Sequence, residues 1–492
     1  MQAALLRRFA PLLALAALAA LTGCKPNAEG TVRVVVIGKG TPKVSDPAEG
    51  PLSGADALLT ANVAQGLVRF DAGGNIVAGL AERWNVSNDG LSYIFRLAST
   101  NWPDGRKLTA QQVARTLKRE IGPRSRDPLR DVLGAVEDVV AMTDRVLEIR
   151  LVAPRPNLLP LLAQPEFAIV RDGAGTGPFQ VSKGANGSAD LSLTREIELS
   201  DEEASRREEL LLGTSETARA VGEFVQGQAD LVLGGTFADL PIATRVRLPR
   251  AALRFDPASG LFGLVPTAAV GPFDSAEKRR LLSEAIDRNA LVDSLGVPGL
   301  TARATVLEPG LDGTLAPVAP AWFGTPIAAR RPGLITAAAR LFGAEKPPIR
   351  LALPVGPGAD LLFARLAADW GALGFQVVRA NNAGAADFSL IDVVAPSTSP
   401  AWFVRSFRCG AVPVCDPDAD TLLQSAREAP VPPQRYAFLA QAAGMVDTAQ
   451  LFIPLTAPIR WSLVGGRIQG FTGNRYASHT LTDLEQKLGA GE

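Results

Sequence analysis

The tightest constraint on how this chain can fold lies between residues 66 and 120, where turn signals separate short alternating stretches. Asn88-Asp89-Gly90 parts Arg83–Val86 from Leu91–Leu97, and Asp71-Ala72-Gly73-Gly74 marks a second reversal upstream. Asparagine, aspartate and glycine accept the backbone that a tight reversal requires, so both segments read as antiparallel hairpins. Pro103-Asp104-Gly105 adds another turn. Thr109-Ala110-Gln111-Gln112 has the form of a capping box, which predicts a helix from Ala110 to about Glu120 with Val113 and Leu117 on its buried face. Val146–Val152 alternates as a further strand.

Outside this stretch the periodicity changes. Val32–Ile37 is a β-branched run and reads as a strand, followed by a helix over Ala55–Gly66. Asp201–Leu212 is charged and then leucine-rich, and reads as a helix or a surface loop. Leu231–Leu233 reads as a short buried strand. From Ser275 onward Leu281, Leu282, Ala285 and Ile286 fall at helical spacing. Proline and glycine crowd Pro309–Pro332, which predicts a long surface loop. Ile349–Leu353, Ala359–Leu373 and Phe375–Val378 form a strand–helix–strand unit, so the two strands should pair in parallel. Asp387–Val394 is another strand, and Thr421–Arg427 and Pro433–Thr448 are helices. With 492 residues, 47% of them hydrophobic, the chain suffices for about three structural units, each with a core. The class is α/β with antiparallel sections; no repeat and no flexible linker stands out.

Composition removes several functions. Lys+Arg and Asp+Glu are both 50, without the basic excess of a nucleic-acid binder. A single histidine, His479, rules against Ser-His-Asp or Cys-His catalysis and against multi-histidine metal sites. The cysteines, Cys24, Cys409 and Cys415, are too few for a four-cysteine cluster. Gly38-Lys39-Gly40 follows a strand, but Lys43 stands where a dinucleotide loop has its third glycine, and no helix opens there. No Gly-x-Ser-x-Gly is present, and Asp416 and Asp418 read as a solvated helix start rather than a calcium loop. The expectation is a binding protein, not an enzyme, with no catalytic residues, cofactor or metal.

The first residues read as an address. Arg7 and Arg8 precede an apolar run from Phe9 to Leu21, about 20 Å as a helix and too short for a bilayer core of about 30 Å. The run ends in Leu21-Thr22-Gly23-Cys24, which resembles a bacterial lipobox. By that resemblance residues 1–23 are a lipoprotein signal peptide, and Cys24 is the lipid attachment site that holds the protein to a membrane surface. A plain secretory signal is the alternative; either one exports the chain to the periplasm or cell envelope. There, Cys409 and Cys415, which enclose Gly-Ala-Val-Pro-Val, are expected to form a disulfide, with two free thiols as the alternative.

Several segments together resemble the family 5 extracellular solute-binding proteins, which include the oligopeptide-, dipeptide- and nickel-binding proteins of bacterial ABC importers. The densest stretch runs from Gly66-Leu67-Val68-Arg69-Phe70-Asp71 through Leu80-Ala81-Glu82-Arg83-Trp84 and Ser87-Asn88-Asp89-Gly90 to Trp102-Pro103-Asp104-Gly105 and Leu108-Thr109-Ala110. Gly175-Thr176-Gly177-Pro178-Phe179, Ala285-Ile286-Asp287-Arg288, Asp420-Thr421-Leu422-Leu423 and Ile453-Pro454-Leu455 continue the likeness. The resemblance implies a periplasmic-binding-protein-like type II fold, bilobal and hinged, with an extra third domain. Domain I would hold residues 31–55, 167–265 and 458–492, domain II residues 56–166 and domain III residues 266–457. Ligand would lie between domains I and III, with hinges near Pro266–Pro272 and Pro454–Pro458. The implied molecule is a monomer that captures peptides or similar small polar solutes and delivers them to ABC permease subunits. A degenerate member, serving as a structural or sensory lipoprotein, is the alternative.

Candidate ligand residues follow from the same resemblance. Peptide binders of the family commonly place an aspartate just before an Asp-Pro step, within a tryptophan-glycine-aspartate sequence, to meet the peptide amine. Here the corresponding strand reads Leu390-Ile391-Asp392-Val393-Val394-Ala395-Pro396, which lacks that tryptophan-glycine-aspartate and leaves Asp392 as the nearest acid. Trp402, Arg405 and Phe407 follow on the side of domain III expected to face the cleft.

Overall fold

The computed structural model describes residues 31–184, 190–198, 205–313 and 316–486. The leader and Cys24 lie outside the described residues. Three sheets organise the chain, each with its own lobe.

The first lobe is built on a seven-stranded sheet. In spatial order its strands are Leu253–Phe255, Arg460–Val464, Leu231–Thr236, Val32–Ile37, Ser205–Ser215, Leu191–Glu198 and Gln180–Lys183. Val32–Ile37 pairs in parallel with both of its neighbours and is buried at its centre, as a continuous valine run demands. The stretch Asp201–Leu212, expected as a helix or loop, is a strand from Ser205 onward. Its charged half takes the edge-ward, exposed end, where Arg195 pairs with Glu208, while Leu210 and Leu212 enter the core. Pairing on both sides overrode its weak local preference.

The second lobe carries the hairpins. Ala81–Val86, Ser92–Leu97, Val146–Leu151 and Val136–Thr143 form a four-stranded antiparallel sheet. Strand Ser92–Leu97 alternates as its sequence requires, with Tyr93, Phe95 and Leu97 buried and Ile94 and Arg96 exposed. Helix Ala110–Glu120 packs Val113 and Leu117 into that core, and the Thr109/Gln112 capping box is formed. The Gln112 side-chain oxygen also accepts from the Trp102 indole at 3.0 Å, which ties the turn to the helix.

The third lobe holds a five-stranded sheet in the order Val377–Arg379, Ile349–Ala352, Phe388–Val394, Gly260–Pro266 and Ile453–Thr456. Its strand–helix–strand unit is parallel, with Ile349 opposite Val377. One face meets the core around Trp370 and Phe388; the other, through Leu261 and Val265, packs on helices Pro400–Arg405 and Pro432–Thr448. The proline-rich loop is shorter than expected. Helix Ile327–Phe342 begins before Pro332 and contains it, held by Leu334 and Ala338, which are buried against the same core as Trp370.

The chain passes between the first and third sheets twice. It leaves Leu253–Phe255 and enters Gly260–Pro266, so the first crossing is at residues 256–259. It returns between Ile453–Thr456 and Arg460–Val464, at residues 457–459. The expected hinge at Pro266–Pro272 is displaced, because Pro266 is already paired with Phe388 inside the third sheet. Strand Gly260–Pro266 therefore belongs with the third lobe. Likewise helix Gly54–Val63 buries Leu58, Leu59 and Val63 in the core of the first sheet rather than in the second lobe. No described helix is long and apolar enough to cross a membrane.

Candidate functional site: an arginine-lined cavity between two lobes

The candidate site grows from elements of two lobes. On the second lobe, the turn Arg130–Leu133 and strand Val136–Thr143 supply Val132, Leu133 and Val136, and the segment after strand Val146–Leu151 supplies Arg155 and Asn157. Flanking prolines, Pro154 and Pro156, restrict the backbone at Arg155. On the third lobe, helices Pro400–Arg405, Pro417–Glu428 and Pro432–Thr448 each start with proline in the first turn, where its missing N–H costs nothing. They bring Trp402, Arg405, Arg427 and Arg435 to one side, with Arg408 just beyond the first helix. Between them lies a cavity of about 320 Å³.

Hydrogen bonds between the two lobes close its rim. Asn157 Nδ2 donates to Ser397 Oγ at 3.2 Å, and Gln164 Nε2 donates to the Pro396 carbonyl at 2.8 Å. Arg155 donates to the Arg427 carbonyl at 3.2 Å, Arg427 to the Gly134 carbonyl at 2.8 Å and Arg435 to the Pro154 carbonyl at 3.0 Å. Arg408 pairs with Asp131 at 2.6 Å.

The charge inside is lopsided. Five arginines and one aspartate, Asp420, line the cavity. Arg408 alone among the five has a carboxylate within ion-pair distance among the described residues, and the Arg405 guanidinium meets no protein acceptor there. Asp420 accepts from the Cys409 amide at 2.9 Å. Burial pushes the Arg155 guanidinium down to about 9, and the nearby Arg435, Arg427 and Arg405 push the same way. Burial, then Arg408 and Arg427, lowers Arg405 as well, against a smaller opposing pull from Asp131; burial lowers Arg435, opposed by Tyr436 and Asp312. These are cations held together in a partly dry space. A second depression, about 580 Å³, lies beside helix Ala110–Glu120, but there Arg119 and Arg171 are already paired with Asp46 and Asp104.

The structure separates the candidate residues read from sequence. Trp402 and Arg405 line the cavity. Phe407 does not: it is buried and stacks on Phe452, with ring centroids 5.1 Å apart, as part of the third-lobe core. Asp392 lies at the crossing between first and third sheets, where Arg460 Nη1 donates to its carboxylate at 2.8 Å and Nη2 to its carbonyl at 3.1 Å. Burial raises its pKa and Arg460 opposes that rise. Its charge is therefore met from within the protein. The cavity, moreover, is walled by the second and third lobes, not by the first and third. Arg155, Arg408, Arg427 and Arg435 were not foreseen, and no local spacing marks them as a cluster. Cys409 and Cys415 are joined, with Cα atoms 5.1 Å apart, and close the loop that leads into helix Pro417–Glu428. Among the described residues no group of three or more His, Cys, Asp or Glu could hold a metal ion.

Comparison with known proteins agrees with this architecture. A di/tripeptide-binding protein of Pseudomonas aeruginosa, described as probable, is 24% identical, covering 86% of this chain and 89% of its own length. The Haemophilus influenzae OppA complex with RPPGFSPFR superposes with a TM-score of 0.79 at 16% identity, over 94% of this chain and 100% of that one. The Escherichia coli murein tripeptide binding protein MppA gives 0.78 at 17% identity, over 94% and 99%, whereas its unliganded open form gives 0.68 at 17% identity, over 93% and 98%. These likenesses establish the type II periplasmic-binding-protein fold with mixed α/β content. Residues 75–342 match the family described as bacterial extracellular solute-binding proteins, family 5 (middle), and the chain belongs to that family.

Proposed function

We propose that this protein captures a small solute in the cavity between its second and third lobes and hands it to an ABC permease in the bacterial envelope. The observation that carries the reading is the cavity itself. It lies between separate lobes, at the site where ligand pockets are commonest, and combines apolar walls with a few convergent polar groups. Its volume of about 320 Å³ is near the lower end of the usual range, which favours a short peptide or a solute of similar size over a long peptide. Relatives named for di- and tripeptides are consistent with that size. Cys24 anchors the exported chain by acylation, and the Cys409–Cys415 bridge is closed in the oxidising compartment.

Mass spectrometry of small molecules released from purified protein tests the reading. A retained solute that raises the melting temperature when added back supports it. A ligand at a hundredfold excess over Kd adds about 2.7 kcal/mol of stability. An empty protein and a flat thermal response across peptides and other small polar solutes would favour the structural or sensory lipoprotein instead. For the anchor, Cys24→Ala should release the protein from membranes or leave it as precursor; unchanged fatty-acid labelling of that variant would remove Cys24 from the role.

A further inference from the structure

We propose that the cavity selects a small organic anion carrying two or more negative charges on an apolar body; this rests on the solute-capture reading above and names its substrate class. Guanidinium groups from Arg155, Arg405, Arg427 and Arg435 reach one cavity with no ion-pairing carboxylate among the described residues. Three of them spend donors on backbone carbonyls of the opposite lobe, but a guanidinium has five N–H groups, so donors remain. Arg405 spends none on the protein.

Like charges gathered under partial burial are unfavourable in the empty cavity, and an oxyanion relieves that cost. The fork of a guanidinium matches a carboxylate or phosphate in two parallel hydrogen bonds. An amine finds far less here. Asp420 is the one lining carboxylate against five arginines, one of its oxygens already accepts from the Cys409 amide, and Asp392 is held by Arg460 outside the cavity. A zwitterionic tripeptide would therefore bring its ammonium among cations with a single carboxylate to meet it. The remaining wall is apolar: Leu158, Leu161, Trp402 and Leu439 give a hydrocarbon or aromatic body a surface to cover. Dicarboxylates and phosphate monoesters share this chemistry, and the test separates them.

Isothermal titration of the mature protein with benzylsuccinate, sebacate, phenyl phosphate and trialanine distinguishes the outcomes. The proposal expects binding of at least one dianion at micromolar to low-millimolar Kd, weakened by added NaCl, with trialanine at least tenfold weaker. Benzylsuccinate or sebacate ahead of phenyl phosphate assigns the carboxylate class; the reverse assigns the phosphate. Arg405→Met, which keeps the bulk of the side chain and breaks no hydrogen bond within the protein, should lose dianion affinity tenfold or more with an unchanged melting temperature. Arg405→Lys should recover part of it. Trialanine binding alone would overturn the anion assignment and leave solute capture standing. Dianion binding unchanged in Arg405→Met would place the anion elsewhere and overturn the site. No binding of any probe, with no retained solute, would overturn both readings together.

Discussion

The third lobe meets its two neighbours in opposite ways. Against the first lobe the junction is mostly apolar, with the Arg460–Asp392 pair at its crossing. Phe237 of the first lobe packs edge-on against Phe262 of the third at 4.8 Å, and a single core runs from Val35, Val232 and Trp461 through to Ile349 and Trp370. Contact is so close that Gly358, at the start of helix Pro357–Gly371, donates to the Ala238 carbonyl at 2.8 Å; a Cβ there would come within 1.8 Å of the Phe237 carbonyl. Against the second lobe the same domain meets hydrogen bonds, one ion pair and a cavity. Apolar burial scales with area and resists separation, whereas polar contacts between lobes trade readily with water. The apolar junction holds the first and third lobes together. The polar one contains the cavity proposed for the solute, and polar contacts make separation less costly there.

The largest test of this contrast is Phe262→Ala. The side chain is 1% exposed, and its loss should cost about 3–5 kcal/mol in urea denaturation. A cost under about 1 kcal/mol would break the claim that this junction is a true core. Next is the crossing pair. Arg460→Met leaves Asp392 without its partner in a largely buried position and should cost about 1–3 kcal/mol. Adding Asp392→Leu should recover much of that, and a double variant as unstable as the single one would show that Arg460 acts through packing instead.

On the polar side the effects shrink. Asp131→Asn removes the carboxylate that pairs with Arg408, at a stability change of less than about 1 kcal/mol. Because it frees another cation, dianion affinity should rise, by roughly two- to fivefold. A fall in affinity would mean that the pair positions the lobes for binding. The smallest effect concerns pH. Arg155, pushed down to about 9, stays protonated at neutral pH, so dianion affinity should be flat within about twofold between pH 6 and 8. It should weaken as pH rises through about 9, where Arg155 is half deprotonated. A midpoint near 6.5 in titration calorimetry would instead point to an imidazole, and the lone histidine lies elsewhere, against Asp256.

Legibility differed sharply between fold and site. The hairpins, the capping box and the parallel strand–helix–strand unit were readable because their causes are local: turn residues, capping side chains and alternation. Asp201–Leu212 and Pro332 were misread because cross-strand pairing and burial of Leu334 outweighed local preference. Half of the candidate ligand residues reached the cavity. Trp402 and Arg405, placed by the family resemblance, sit on a helix that the sequence reading did not predict. Asp392 was chosen by its place in a strand, and no strand pattern reveals that a residue 68 positions later supplies its counter-ion.

The sequence by itself determined the mixed α/β class of the chain and its division into several units, and its motifs carried the resemblance to the family. The class rests on composition and periodicity, which act within a few residues. Tertiary structure alone decided where the lobes cross, which acid is silent and where the cavity lies. Arg155 and Arg435 are 280 positions apart, yet Arg435 donates to the carbonyl beside Arg155, a separation of 281. Nothing in either local sequence records that meeting. Charge left unpaired is a property of the assembled molecule, because only folding determines which carboxylates come within reach of which guanidinium groups and which find none.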